Sequence, residues 1–384
     1  MAVYHQMGHD SWNLVDEKPL HGYTGIILSP VNDSPEDVVT RLNKLGKRRK
    51  NLDVILDPQF YKPRSDRGQL AHWSHFSEEV DTIDLTNMAW WKKQCKTLVK
   101  TAEEIGANSI CSPAMIPRVF DTEYYKWTVD CAEQLQKEAA TKEVKILITA
   151  VIHLTEMAKN GMPQKVASIL TSTSISRLYL VFFDDIGPRQ QRTDLMALAG
   201  AIQLIRMLEE AGTRVLVAFC GLDLLLWKAA GASDVATGKF FNLRCFVPGR
   251  WEDAAEGGRV VPYWTDDILI TWLREDDVRL LDNNGLIDRE RAESNPYSRK
   301  ILDILDAGKG EAWVGHGWRQ YLHWFMTTEE AIANNRAIAR QILLAADTRW
   351  GEVTNSEIYL FDRQNTGDWI RPWLNAIHSG TKAG

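Results

Sequence analysis

Residues Lys145-Ile146-Leu147-Ile148-Thr149-Ala150-Val151-Ile152 form a nearly unbroken apolar run that stops at His153-Leu154-Thr155-Glu156. A short apolar run bounded so sharply is the pattern of a strand buried on both faces of a parallel sheet. The pattern recurs along the chain. Residues 51–56 stop at Asp57-Pro58-Gln59-Phe60-Tyr61, 109–111 at Ser112-Pro113, and 178–183 at Asp184-Asp185. Residues 215–219 stop at Cys220-Gly221-Leu222-Asp223, and 234–236 at Thr237-Gly238-Lys239. Polar groups at the carboxyl ends of such strands are where α/β proteins place their chemistry.

Outward from these runs, residues 23–30 read as the first strand, after a polar leader. Ser34-Pro35-Glu36-Asp37 begins a helix, with serine at the cap, proline in the first turn and acids behind it. Further helices are expected over 88–105, from Asp121, over 163–173, from Thr193 or Asp194 to Leu208, and over 222–230. Strand–helix alternation with short links requires parallel pairing, because each crossover returns to the same edge. Seven such units predict an α/β fold, a TIM-like (β/α)8 barrel with a helical C-terminal extension. The eighth strand is expected from 242–246 or 260–264. No G-x-G-x-x-G follows a strand, which weighs against a dinucleotide-binding sheet. Near Ala254 the texture changes to Gly257-Gly258, acidic clusters and Asn283-Asn284-Gly285, and Thr327-Thr328-Glu329-Glu330 reads as the start of a helix to about Ala346. The expected division is a barrel over 1–254 and a mainly helical extension over 255–384 packed on it. Residues 61–87 are too long for a plain βα turn and read either as a lid or substrate loop or as an insertion.

The composition, 384 residues with 45% apolar and 25% charged, is that of a soluble globular protein with a large core. A net charge of −6 gives no support for non-specific nucleic-acid binding. Five dispersed cysteines with no C-x-x-C pair suit a reduced, cytoplasmic compartment. No secretory h-region is visible, and no apolar stretch is long enough to span a bilayer, so no membrane association is expected. The 15 tryptophans cluster around Trp90-Trp91, Trp251 to Trp272, Trp313 to Trp324 and Trp350 to Trp373. They serve either packing or an interface, through which a protein partner or a second copy of the chain would dock.

The candidate site follows from the strand ends. Asp57 and Gln59 offer acceptors and donors for a heterocycle edge, and of the residues that follow, Tyr61 joins the substrate-binding candidates and Arg64 would hold a phosphate or carboxylate. Ser112 ends the next strand. His153 is a candidate general base, and Asp184 or Asp185 a nucleophile or acid/base group. Gly221 would let a ligand approach the backbone, while Lys239 and Arg244 would bind phosphate near the last strands. Trp251, Tyr263 and Trp264 are candidates to stack on a base. The metal-ligand spacings H-x-H and H-E-x-x-H are missing, and no cofactor or metal is expected. Glu156 with Asp185 is an alternative carboxylate pair for glycoside hydrolysis.

The order of these strand ends resembles the tRNA-guanine transglycosylases and their barrel relatives over roughly residues 20–250. Asp57-Pro58-Gln59-Phe60 resembles that family's early aspartate segment, 178–184 its substrate-binding strand, and 217–231 its following strand, glycine turn and helix. The resemblance implies an enzyme of glycosyl transfer or hydrolysis on a nucleoside, nucleotide or nucleic-acid base. Thr237 stands where that family carries its nucleophilic aspartate, and its cysteine-rich zinc motif is absent. These departures imply different chemistry or a non-catalytic recognition or scaffold subunit of a larger complex.

Overall fold

The computed structural model describes residues 2–63, 65–76, 87–252 and 260–382. Eight parallel strands close into a barrel: β1 (Ala2–Gln6), β2 (Gly25–Leu28), β3 (Asp53–Leu56), β4 (Ser109–Cys111), β5 (Lys145–His153), β6 (Arg177–Phe183), β7 (Arg214–Ala218) and β8 (Asp234–Thr237). Closure runs through β1 and β8, with Ala2 opposite Asp234 and His5 opposite Thr237. Each apolar run identified in the sequence is one of these strands, and the fold is the expected TIM-like barrel with helices around it.

The closing strand corrects the expectation. The first strand lies within the residues read as a polar leader, and neither proposed eighth strand belongs to the barrel. Phe241–Leu243 is a single 3-10 turn, and Phe246 makes one isolated bridge to Phe183. Trp264–Asp266 (β9) pairs antiparallel with Thr271–Leu273 (β10) outside the barrel. The reason is polarity inside the barrel. Gln6 is buried, donating to the Tyr179 hydroxyl at 3.1 Å and accepting from the Phe219 N–H at 3.0 Å. With His5 and Gln6 in five residues, β1 carries no apolar run.

A second polar layer fills the lower end. Tyr4 donates to Asp53 at 2.9 Å, and Arg177 bonds to both Asp53 and Ser109. Gly25 makes room for the Tyr4 ring, since a Cβ there would lie 2.3 Å from it.

Helix starts follow the sequence. Side chains of Ser34, Asn87, Asp121 and Asp194 each accept an N–H from the first turn of their helix. In the C-terminal part the expected helix over 327–346 is two helices, Val314–Asn334 and Ala337–Asn355. Thr327 sits inside the first, its hydroxyl donating back to the His323 carbonyl. The chain breaks at the extended Asn335, whose side chain accepts the Ala337 N–H. These helices and Ile370–Lys382 pack on the barrel helices Leu224–Ala230 and Leu195–Glu210. Trp264, Trp313, Trp369 and Trp373 are buried in that packing, so these indoles serve the core rather than an exposed surface. No described helix is long and apolar enough to cross a membrane.

Candidate functional site

The strand ends meet at the barrel axis, and there the chain fills its own mouth. Tyr61 follows β3, Phe219 follows β7, and Phe246 and Trp251 come from the segment after β8. The Tyr61 ring lies 5.0 Å from Phe246 and 4.7 Å from Trp251, and Phe246 lies 5.1 Å from Phe219. All four are at most 2% exposed. The cover is tied down from outside, where Ser65 donates to the Trp251 carbonyl at 2.6 Å and Lys62 pairs with Glu252 at 2.7 Å.

Beneath this cover lie most of the residues expected to meet a ligand. Asp57 accepts from the Gln59 N–H at 3.0 Å, from Tyr61 at 3.0 Å and from Tyr179 at 3.4 Å. Burial pushes its carboxyl up to about 6 despite these bonds and the nearby Arg250. Gln59 adopts a left-handed conformation with φ 57°, and its side chain accepts the Val31 N–H and donates to Ser29. Arg250 donates to the same Ser29 hydroxyl at 3.0 Å. Ser112 accepts the Thr149 N–H. Gly221 gives close approach to protein rather than to open space: a Cβ there would lie 2.9 Å from the Arg244 carbonyl. Asp57, Gln59, Tyr61, Ser112 and Gly221 thus face protein groups. Arg64 lies outside the described residues.

The acid/base candidates are together on one side of the rim. His153 Nδ1 is 2.7 Å from the Thr155 hydroxyl, and Nε2 is 3.6 Å from the Asp185 carboxylate. The imidazole packs between Phe120 and Phe183. Asp185 is exposed, and Asp184 accepts its N–H at 2.9 Å. Glu156 is paired with Lys159. Among the described residues, no group of three His, Cys, Asp or Glu is placed to hold a metal ion.

The open site is off the axis. A cleft of about 380 Å³ lies between the loops after β6 and β8 and the helix Val314–Asn334. Lys239, Arg244 and Arg189 supply its charge, and Phe240, Tyr263 and Trp318 are among its walls. Lys239 donates to the Asp10 carbonyl at 2.9 Å and sits 4.5 Å over Trp318 and 4.9 Å over Phe240. Arg244 donates to the Gly238 and Lys239 carbonyls and stacks 3.5 Å over Tyr321. Burial pushes its guanidinium down to about 10, which leaves it charged at neutral pH. Neither cation has an ion-pair partner among the described residues. Arg189 differs: it pairs with Asp362 at 2.5 Å and lies 5.0 Å over Tyr263.

Thr237 is buried just below. Its hydroxyl is 2.6 Å from both the Cys220 carbonyl and the Tyr321 hydroxyl. Sequence reasoning reached Lys239, Arg244 and Tyr263. It missed Phe240 and Phe241, although both lie between the two basic residues, and it missed Arg189, Trp318 and Tyr321. Trp251 and Trp264, proposed as stacking platforms, are buried.

No family model matches the sequence, and no curated protein does. Solved structures similar in fold include a putative sugar phosphate isomerase/epimerase from Anabaena variabilis. It is 12% identical with a TM-score of 0.36, over 67% of this chain and 90% of that one. A monomeric dihydrodipicolinate synthase variant is 11% identical with a TM-score of 0.37, over 81% and 82%. A β-N-acetylhexosaminidase from Beutenbergia cavernae is 12% identical with a TM-score of 0.35, over 81% and 96%. At these values they add nothing to what the strand pairing itself establishes, which is the barrel.

Proposed function

We propose that this protein is a recognition barrel that binds a planar organic anion, a nucleoside phosphate by class, in the off-axis cleft. One observation carries the reading: Lys239 and Arg244, two cations with no carboxylate partner among the described residues, front the same aromatic-walled cleft. Buried cations are ordinarily paired, and an unpaired pair of them favours an anionic visitor. Phe240 and Trp318 supply apolar faces for a ring.

The filled axial mouth supports binding over turnover at the strand ends. A covalent step at the position the transglycosylase resemblance assigns finds no support, because the Thr237 hydroxyl is taken up by Cys220 and Tyr321. A hydrolytic or glycosyl-transfer reading keeps one support: Gly187, Pro188 and Arg189 of the cleft continue the loop that carries Asp185, which faces His153.

Calorimetric titration of the four ribonucleoside monophosphates, with the matching nucleosides as controls, tests the binding reading. A charge-assisted hydrogen bond contributes roughly 1.5–3 kcal/mol, about 10- to 150-fold in affinity. At least one monophosphate should therefore bind at least about ten-fold tighter than its nucleoside, and Lys239→Met should remove that advantage. Equal affinity for the two, or an unchanged titration in the variant, overturns it. Release of free base or sugar phosphate from the bound ligand, abolished by Asp185→Asn, would instead establish the catalytic reading.

A further inference from the structure

The segment Glu357-Ile358-Tyr359-Leu360-Phe361-Asp362-Arg363 belongs to no helix or strand, yet its burial alternates residue by residue. Ile358, Leu360 and Asp362 turn inward, while Glu357, Tyr359, Phe361 and Arg363 are exposed. Tyr359 and Phe361 are 83% and 69% exposed, more than any other large apolar side chain among the described residues. The inward side is held firmly. Ile358 and Leu360 pack on the core, and the Ile358 N–H donates to the Val353 carbonyl at 3.2 Å. Asp277 accepts the N–H of Phe361 at 2.6 Å and that of Asp362 at 3.3 Å. Asp362 in turn takes Arg189 and Arg274. Rolling the two rings inward would break these bonds, so the apolar face stays presented to the outside. A single exposed ring needs no explanation, but two neighbouring rings on a pinned segment are the pattern of an interaction surface.

Charge says what covers it. Glu357 and Arg363 bracket the rings, and neither has an ion-pair partner among the described residues. Along the face the order is acid, ring, ring, base. Turned about a two-fold axis that passes between the rings, this face complements itself. Glu357 of one copy meets Arg363 of the other, and Tyr359 meets Phe361, each pair formed twice. A parallel alignment would set acid on acid and base on base, which like charges oppose. A purely apolar partner would leave both charges unanswered.

We propose that this face is a homodimer contact, closed by antiparallel packing of residues 357–363 against the same residues of a second copy. An aromatic side chain buries about 150–250 Å², so the four rings supply roughly 600–1,000 Å² of the interface. That falls short of the roughly 1,200–2,000 Å² of a tight complex and suits a reversible dimer at micromolar concentration. None of the four outward side chains lines the anion cleft, and the contact does not depend on what binds there.

Sedimentation velocity from low micromolar to several hundred micromolar protein tests this. The wild-type chain should move from its monomer mass of 43.7 kDa towards twice that mass as concentration rises. Arg363→Glu should weaken self-association at least about ten-fold, because both charge pairs then join glutamate to glutamate. Glu357→Arg should weaken it as much, with arginine facing arginine. Mixed in equal amounts, the two variants should associate again, since every arginine then faces a glutamate across the axis. All of these positions are exposed, so neither change threatens folding. A wild-type chain that stays monomeric throughout overturns the proposal. So does self-association that survives either charge reversal, or a mixture no more associated than its two components.

Discussion

Replacing Asp57 by Asn should make the protein more stable as the pH rises. The carboxyl lies beneath the aromatic cover, 2% exposed, with a folded pKa of about 6 against an ordinary value of 3.8. A carboxyl with a raised folded pKa holds its proton more tightly in the native state. Its favourable contribution is complete below the unfolded pKa and is lost as the pH climbs through the folded one. At one pKa unit per 1.36 kcal/mol, ionised Asp57 costs the native state about 3 kcal/mol once the pH is well above 6. Between pH 4 and pH 7 the change is about 2 kcal/mol. Asn removes that cost and retains an oxygen for the Gln59 N–H, while the hydroxyls of Tyr61 and Tyr179 can turn to accept from its amide. Urea unfolding followed by tryptophan fluorescence, for both proteins at pH 4, 5, 6, 7 and 8, measures the difference with every other titrating group cancelled. The stability of Asp57→Asn relative to wild type should rise by about 2 kcal/mol across that range, most of it below pH 7. A constant difference, or a variant less stable at pH 8 by the same margin as at pH 4, would show that Arg250 and the two tyrosines satisfy the ionised form. The account of the axial network would then be wrong.

Lys228 and Glu329 form a pair, 2% and 7% exposed at 2.8 Å, that joins a barrel helix to the C-terminal extension. Lys228→Met should cost about 3–5 kcal/mol in chemical denaturation, because it leaves a buried carboxylate alone; a loss below about 1 kcal/mol would mean that water reaches the pair. Trp251→Ala removes the centre of the axial cover and should cost about 3–5 kcal/mol. It should leave nucleotide affinity in the cleft unchanged, and a matching loss of affinity would mean that axis and cleft are one site.

The fold was legible wherever burial on both faces wrote an apolar run into the chain. That holds for β5, β6 and β7, and side-chain caps such as Asp121 and Asp194 marked helix starts as local chemistry. It failed at β1, because Gln6 belongs to a polar layer of the barrel interior and its neighbour His5, on the opposite face of the strand, packs against Tyr23, so neither face carries an apolar run. The division of the long C-terminal helices was hidden for a related reason. Thr327 and Thr328 look like caps, but a threonine hydroxyl can return to its own helix backbone. At the site, the spacing of Lys239 and Arg244 after one strand was enough to bring them together. Trp318 and Tyr321 come from a helix about 80 residues later, placed by tertiary packing. That Asp57 is covered depends on Phe246 and Trp251 folding back over the axis, which no local pattern around Asp57 records.

Arg244 ties these features together. Its guanidinium holds the turn after β8 through the Gly238 and Lys239 carbonyls and rests on Tyr321 of the extension. Tyr321 in turn reaches the Thr237 hydroxyl and the Cys220 carbonyl at the ends of β8 and β7. Packing of the extension and formation of the cleft are therefore one event. Without residues beyond 254, Arg244 would lose Tyr321 and Trp272, and Lys239 would lose Trp318. On the binding reading proposed above, a barrel whose axis is filled by its own aromatic side chains takes its ligand at another place. The extension supplies it by building a wall beside the rim, over cations that the barrel itself leaves unpaired.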